Sequence, residues 1–119
     1  MPVRYYSEEK KRNLRAVQIF SILSAAAHRR ETLTYAGLAQ LLGYAGAGVF
    51  AQTLDLILRW CAANELPPLT VLVVNSETGL PGAGFQTADD LHSAREEVFS
   101  FEWLDVLPPT VDELDAVVG

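Results

Sequence analysis

The sequence predicts a mainly α-helical single domain carrying a small β hairpin. Two observations carry this prediction. Apolar residues recur at helical spacing over most of the 119-residue chain, and one short β-branched run, Thr70-Val71-Leu72-Val73-Val74, follows Pro67-Pro68 and ends at Asn75. A chain of this length buries one modest core. Half of its residues are apolar and a fifth are charged, which excludes a disordered chain.

The elements follow in order. Ser7, with Glu8 and Glu9 behind it, offers the hydroxyl cap and first-turn acids of a helix start. Ala16, Ile19, Phe20, Leu23, Ala26 and Ala27 then form one apolar stripe, flanked by Lys11, Arg15 and Gln18. Arg29 and Arg30 suit the C-terminal end, where cations favour the helix dipole. Thr34 can cap a short second helix carrying Tyr35, Leu38, Leu41 and Leu42, and Gly43 can stop it. A glycine-bounded turn, residues 44–48, leads to a third helix. Phe50, Leu54, Ile57, Leu58 and Cys61 share its core face, and Val49, Thr53, Leu56 and Trp60 form a second stripe beside it. Gln52, Asp55 and Arg59 make its polar side, and Pro67 and Pro68 end it.

Thr70–Val74 reads as a buried strand and Asn75–Gly79 as a turn. Gly84 and Phe85 then mark the return of a loose hairpin, or wing. Thr87, Asp89 and Asp90 open a fourth helix with Leu91, Ala94, Val98 and Phe101 inward and Glu96 and Glu97 outward. Thr110 and Glu113 have capping-box spacing for a last short helix, Val111 to Val118. The order is that of a winged helix-turn-helix over residues 1–107, followed by an acidic tail or short helix over 108–119.

Residues 30–86 carry a resemblance. Thr34-Tyr35-Ala36-Gly37-Leu38-Ala39, Leu42-Gly43 and Leu69 through Asn75 resemble the C-terminal domain of O6-alkylguanine-DNA alkyltransferases and their non-catalytic alkyltransferase-like relatives. The resemblance implies a winged helix that binds DNA. It does not carry the chemistry. Aligned on Val73-Val74, the family's reactive cysteine, histidine and arginine become Thr70, Val71 and Leu72, and its recognition-helix arginine becomes Val49. A threonine among valines has no base to activate it. Cys61 lies in a helical core stripe with no histidine near it in sequence. Of the family's functional set only Tyr35 is retained.

Composition narrows the function further. A single cysteine excludes an intramolecular disulfide, and two distant histidines do not suggest a zinc site. Gly79, Gly82 and Gly84 lack the Lys-Ser or Lys-Thr of a phosphate loop. No catalytic constellation appears, so no enzyme, metal or cofactor is expected. No apolar run approaches ~18 residues, so no membrane span is expected. The first residues lack the apolar segment of a signal peptide, which makes the cytoplasm the default.

Charge is divided unevenly. Residues 1–30 hold seven Lys and Arg against two Glu, a net +5, whereas residues 31–119 carry −11, for a total of −6. Two functions fit this split. The first is a non-catalytic DNA-binding or regulatory protein that grips duplex phosphates through Arg4, Lys10, Lys11, Arg15, Arg29 and Arg30, with Tyr35 on the second helix. The second is an acidic protein-interaction module. Val49, Leu56 and Trp60 would then cover a basic partner, as immunity or antitoxin proteins do, or a second copy in a homodimer. The basic first helix places DNA first.

Overall fold

The computed structural model describes residues 2–6, 12–44, 50–81 and 88–118. The first helix, α1, is Arg12–His28, and every residue of its apolar stripe is buried. Ser24 joins them because its hydroxyl donates to the Phe20 carbonyl at 2.8 Å, so no polar group is left unpaired. Ser7, the expected cap, lies outside the described residues. The helix closes with Arg30 in the left-handed region at φ 56°, where Arg30 N donates to Ala27 O and Glu31 N to Ala26 O.

Strand β1, Leu33–Thr34, runs directly into α2, Tyr35–Leu42. The Thr34 hydroxyl accepts from Gly37 N at 2.9 Å, as its position predicts. A Cβ on residue 37 would sit 2.9 Å from that hydroxyl, so glycine leaves room for the cap. Gly43, at φ 81°, ends the helix. Leu38 is buried and Tyr35 and Leu42 are half-buried, but Leu41 is 65% exposed. One residue step turns it about 100° from Leu42, beyond the covered side.

Helix α3, Ala51–Ala63, buries both of its stripes: Leu54, Ile57 and Cys61 on one, Thr53, Leu56 and Trp60 on the other. Phe50, just ahead of it, is also buried. The covered arc runs from Leu56 round to Leu54, about 160° at helical spacing. Leu58 falls past that edge and is 40% exposed, not in the core as its apolar character suggested. The arc is this wide because α3 packs against α1 on one side and the last helix on the other.

The run expected as a strand over 70–74 divides. Leu69–Leu72 winds into a 3₁₀ turn, and only Val73–Val74 form a strand, β2. Leu69 and Val71–Val74 are all buried, with Thr70 half-buried, so alternation does not mark an extended chain. Strand β2 pairs in parallel with β1, Leu33 opposite Val73 and Thr34 opposite Val74. The sheet is therefore no hairpin among the described residues, and the return at Gly84 and Phe85 lies outside them. The turn after β2 holds, with Gly79 N donating to Asn75 O and Glu77 N to Asn75 Oδ1, each at 2.8 Å.

Helix α4 is Ala88–Ser100. A 3₁₀ turn at Trp103–Asp105 follows, and then α5, Val111–Val118. Leu91 and Val98 are buried, with Ala94 and Phe101 half-covered. At the start of α5, Glu113 N donates to the Thr110 hydroxyl at 3.1 Å, the cap that its spacing predicts. Leu114 is fully buried, so α5 completes the same core. Phe20 lies at the centre, with Trp60 at 5.3 Å and Trp103 at 6.0 Å edge-on to its ring. The protein is mainly helical with a small two-stranded sheet.

Candidate functional site

Among the described residues, the cations of the first thirty positions are split between the two ends of α1. Arg15 is half-buried, with its guanidinium 3.5 Å from the centre of the Tyr6 ring and 5.3 Å from that of Tyr44. Its Nε donates to the Tyr44 hydroxyl at 3.2 Å and its Nη1 to Gln18 Oε1 at 2.6 Å. The Tyr6 and Tyr44 hydroxyls share a hydrogen bond of 3.1 Å. Burial pushes the Tyr6 phenol up, and its bond to Tyr44 adds to the rise. Burial pushes Tyr44 the same way, but its bonds to Tyr6 and Arg15, with the Arg15 charge, outweigh that and bring it below the ordinary value.

Arg29 and Arg30 lie at the other end of α1, about 21 Å from Arg15 at 1.5 Å per residue. Arg29 pairs with Glu31 at 3.2 Å. Arg30 Nη2 reaches both carboxylate oxygens of Glu96 at 2.9 Å and lies over the Phe99 ring at 5.0 Å. Arg4 is exposed in the N-terminal segment, and Lys10 and Lys11 lie outside the described residues. Tyr35 is half-buried at the first position of α2. Helix α2 holds no charged residue, and Arg59, the cation of α3, is held 2.8 Å from Asp55. Helices α2 and α3 thus present a nearly neutral surface.

The residues expected to meet a protein partner are placed differently again. Leu56 and Trp60 are buried under α5, where Trp60 Nε1 donates to Glu113 Oε2 at 3.0 Å. They are core residues and cannot meet a partner. Their stripe looked free because the last helix, far along the chain, is what covers it. Val49 lies outside the described residues. Apolar exposure occurs elsewhere. Between α4 and α5, Leu104 is 63% and Leu107 85% exposed, and Glu102 and Asp105 are exposed beside them. Residues 88–118 hold nine acids against Arg95 alone.

One concavity was not legible in the sequence. An open groove of about 430 Å³ lies between the N-terminal segment, α1 and the start of α5. Tyr5, Tyr6, Leu14, Val17, Pro109 and Val111 give it apolar walls, and Arg4, Gln18 and Thr110 its polar groups. Among the described residues no three His, Cys, Asp or Glu side chains gather to hold a metal, and no helix is long and apolar enough to cross a membrane. Cys61 is fully buried, and burial pushes its thiol up to about 11, so it is not a thiolate at neutral pH. Thr70 lies within the 3₁₀ turn. Compared with protein-family models, curated proteins and solved structures, the chain matches none.

Proposed function

We propose that this chain is a cytoplasmic, non-catalytic protein-interaction module whose partner is basic. The observation that carries this reading is the exposed pair Leu104 and Leu107, set beside the exposed carboxylates of Glu102 and Asp105. Apolar side chains rimmed by acids suit a segment that alternates aliphatic residues with Lys or Arg. The neutral surface of α2 and α3 supports the same choice, because groove reading needs donors aimed at base edges. Intrinsic tryptophan fluorescence tests it, since Trp103 adjoins Leu104. A Leu/Lys amphipathic helix peptide is expected to shift the emission and a Leu/Glu peptide to leave it unchanged. The Leu104→Asp/Leu107→Asp double variant is expected to lose the response. Equal responses to both peptides, or an unaffected double variant, would count against the reading.

A second reading keeps one supporting observation. Arg4 and Arg12 are both exposed before or at the start of α1, and the sequence places Lys10 and Lys11 between them. Duplex DNA would then be gripped through phosphates alone, with the affinity falling steeply in salt. Fluorescence anisotropy with a labelled duplex decides. Binding that Lys10→Glu/Lys11→Glu removes selects this reading, and no binding even at low salt rejects it.

A further inference from the structure

A pocket of about 180 Å³ opens between the middle of α1 and the segment that carries Leu104 and Leu107. The buried rings of Phe20 and Trp103 form its floor, and the exposed residues Ser21, Leu104 and Pro108 its mouth. It is too small for a free organic ligand, whose sites run to roughly 300–1,000 Å³. An apolar cavity of about 150 Å³ holds benzene, so this one has room for a single side chain of Leu, Ile or Phe size.

The donors of the floor are already spent. The hydroxyl of Ser24, which also lines the pocket, donates to Phe20 O at 2.8 Å, and Trp103 Nε1 donates to Val98 O at 2.8 Å. Neither loses its bond when water is expelled, so covering them with carbon carries no unpaired-donor cost.

Charge beside the mouth selects what flanks that side chain. Glu102 and Asp105 are exposed on either side of Trp103 and Leu104, and Asp105 N donates to Glu102 O at 3.1 Å, which keeps both within one 3₁₀ turn. Neither lining segment supplies a cation. Residues 16–27 of α1 carry no charge, and residues 96–118 hold acids without Lys or Arg. We infer that this pocket is the anchor site for the basic partner. It takes one Leu-, Ile- or Phe-sized side chain, while Lys or Arg neighbours of that side chain meet Glu102 and Asp105. The inference rests on the protein-interaction reading and adds to it which residue type enters, and where. A second copy of this chain is the poorer occupant, because it would set Glu102 and Asp105 against their own kind.

The test titrates the full ¹⁵N-labelled chain with two Lys/Ala helical peptides that differ at one central residue, Leu in one and Ala in the other. The Leu peptide is expected to move the Trp103 indole N–H signal and to leave that of Trp60, covered by α5, in place. The Ala peptide is expected to bind about tenfold more weakly, the loss of one buried aliphatic group. Ser21→Phe closes the mouth from an exposed position and is expected to bring the Leu peptide down to the Ala level. Equal binding of the two peptides, or a preference for Leu that survives Ser21→Phe, would overturn the anchor site and leave the basic-partner reading standing. If the Leu/Lys peptide binds but neither of these does, the anchor site alone falls; if none of the three binds, both fall. A Trp103 signal that moves with protein concentration alone would give the pocket to a second copy and overturn the inference. Should Ser21→Phe disturb the fold, the Leu–Ala comparison at Trp103 still decides it.

Discussion

Trp60 Nε1 donates to Glu113 Oε2 at 3.0 Å, tying α3 to α5 across 53 residues of sequence. The same carboxylate accepts from the Thr110 hydroxyl through its other oxygen, at 3.2 Å. Glu113 therefore pairs a buried indole N–H and helps to close a helix cap. Glu113→Ala is expected to destabilise the protein by about 1–3 kcal/mol, because the indole is left unpaired. Glu113→Gln, which keeps an acceptor, is expected to recover most of that. Urea unfolding followed by tryptophan fluorescence measures both.

Two helices end on a non-glycine residue in the left-handed region, Arg30 and Glu65, each at φ 56°. The Cβ clash there costs roughly 1–2 kcal/mol. Glu65→Gly is expected to raise stability by about 0.5–1 kcal/mol, the strain relief less the gain in unfolded-chain entropy. Arg30→Gly is expected to gain less, because it also loses the Glu96 pair and the Phe99 contact. Thermal unfolding of the two variants side by side shows the difference.

The edge of the α3 core arc gives a sharp contrast. Leu54→Ala and Ile57→Ala are each expected to cost about 2–5 kcal/mol, as for buried aliphatics elsewhere. Leu58→Ala, at 40% exposure, is expected to change stability by no more than about 0.5 kcal/mol. Equal costs for Leu54 and Leu58 in denaturant titrations would refute the helix phase.

Cys61 gives a pH dependence. Its thiol has an ordinary value of 9.0 and is raised to about 11 by burial. The native state holds the proton more tightly than the unfolded chain. The resulting stability is complete below pH 9 and is lost as the pH climbs from 9 towards 11. The difference between wild type and Cys61→Ala is expected to shrink over that window. In the native protein Cys61 is expected to resist thiol reagents at neutral pH, and to leave the mass unchanged on incubation with an O6-alkylguanine oligonucleotide. A stoichiometric mass gain would refute it.

Much of the helical framework was legible because single faces carry it. The α1 stripe from Ala16 to Ala27 is apolar on one side, so spacing alone fixes its orientation. Thr34 and Gly43 bound α2 through local chemistry that needs no distant partner. Where burial is two-sided, the pattern stops discriminating. Leu69–Val74 has no polar side, so nothing in it separates a 3₁₀ turn from a strand. The second stripe of α3 read as a free surface because α5, which covers it, begins some fifty residues later. The groove was illegible for the same reason: residues 4–6, 14–18 and 109–111 meet only in the fold. The cations of residues 1–30 were visible in sequence, but their partners Glu96, Tyr44 and Glu31 were not.

The parallel pairing of β1 with β2 bears on how the chain reaches this fold. Leu33 meets Val73 forty positions later, with α2 and α3 in the intervening loop. Two residues on each side return little against the entropy of closing so long a loop, so the pairing cannot nucleate on its own. It must wait until the helices between have condensed and brought their ends together. The sheet is a latch set last, and its amides are the ones that pulse-labelled exchange during refolding should find protected after those of α1 and α3.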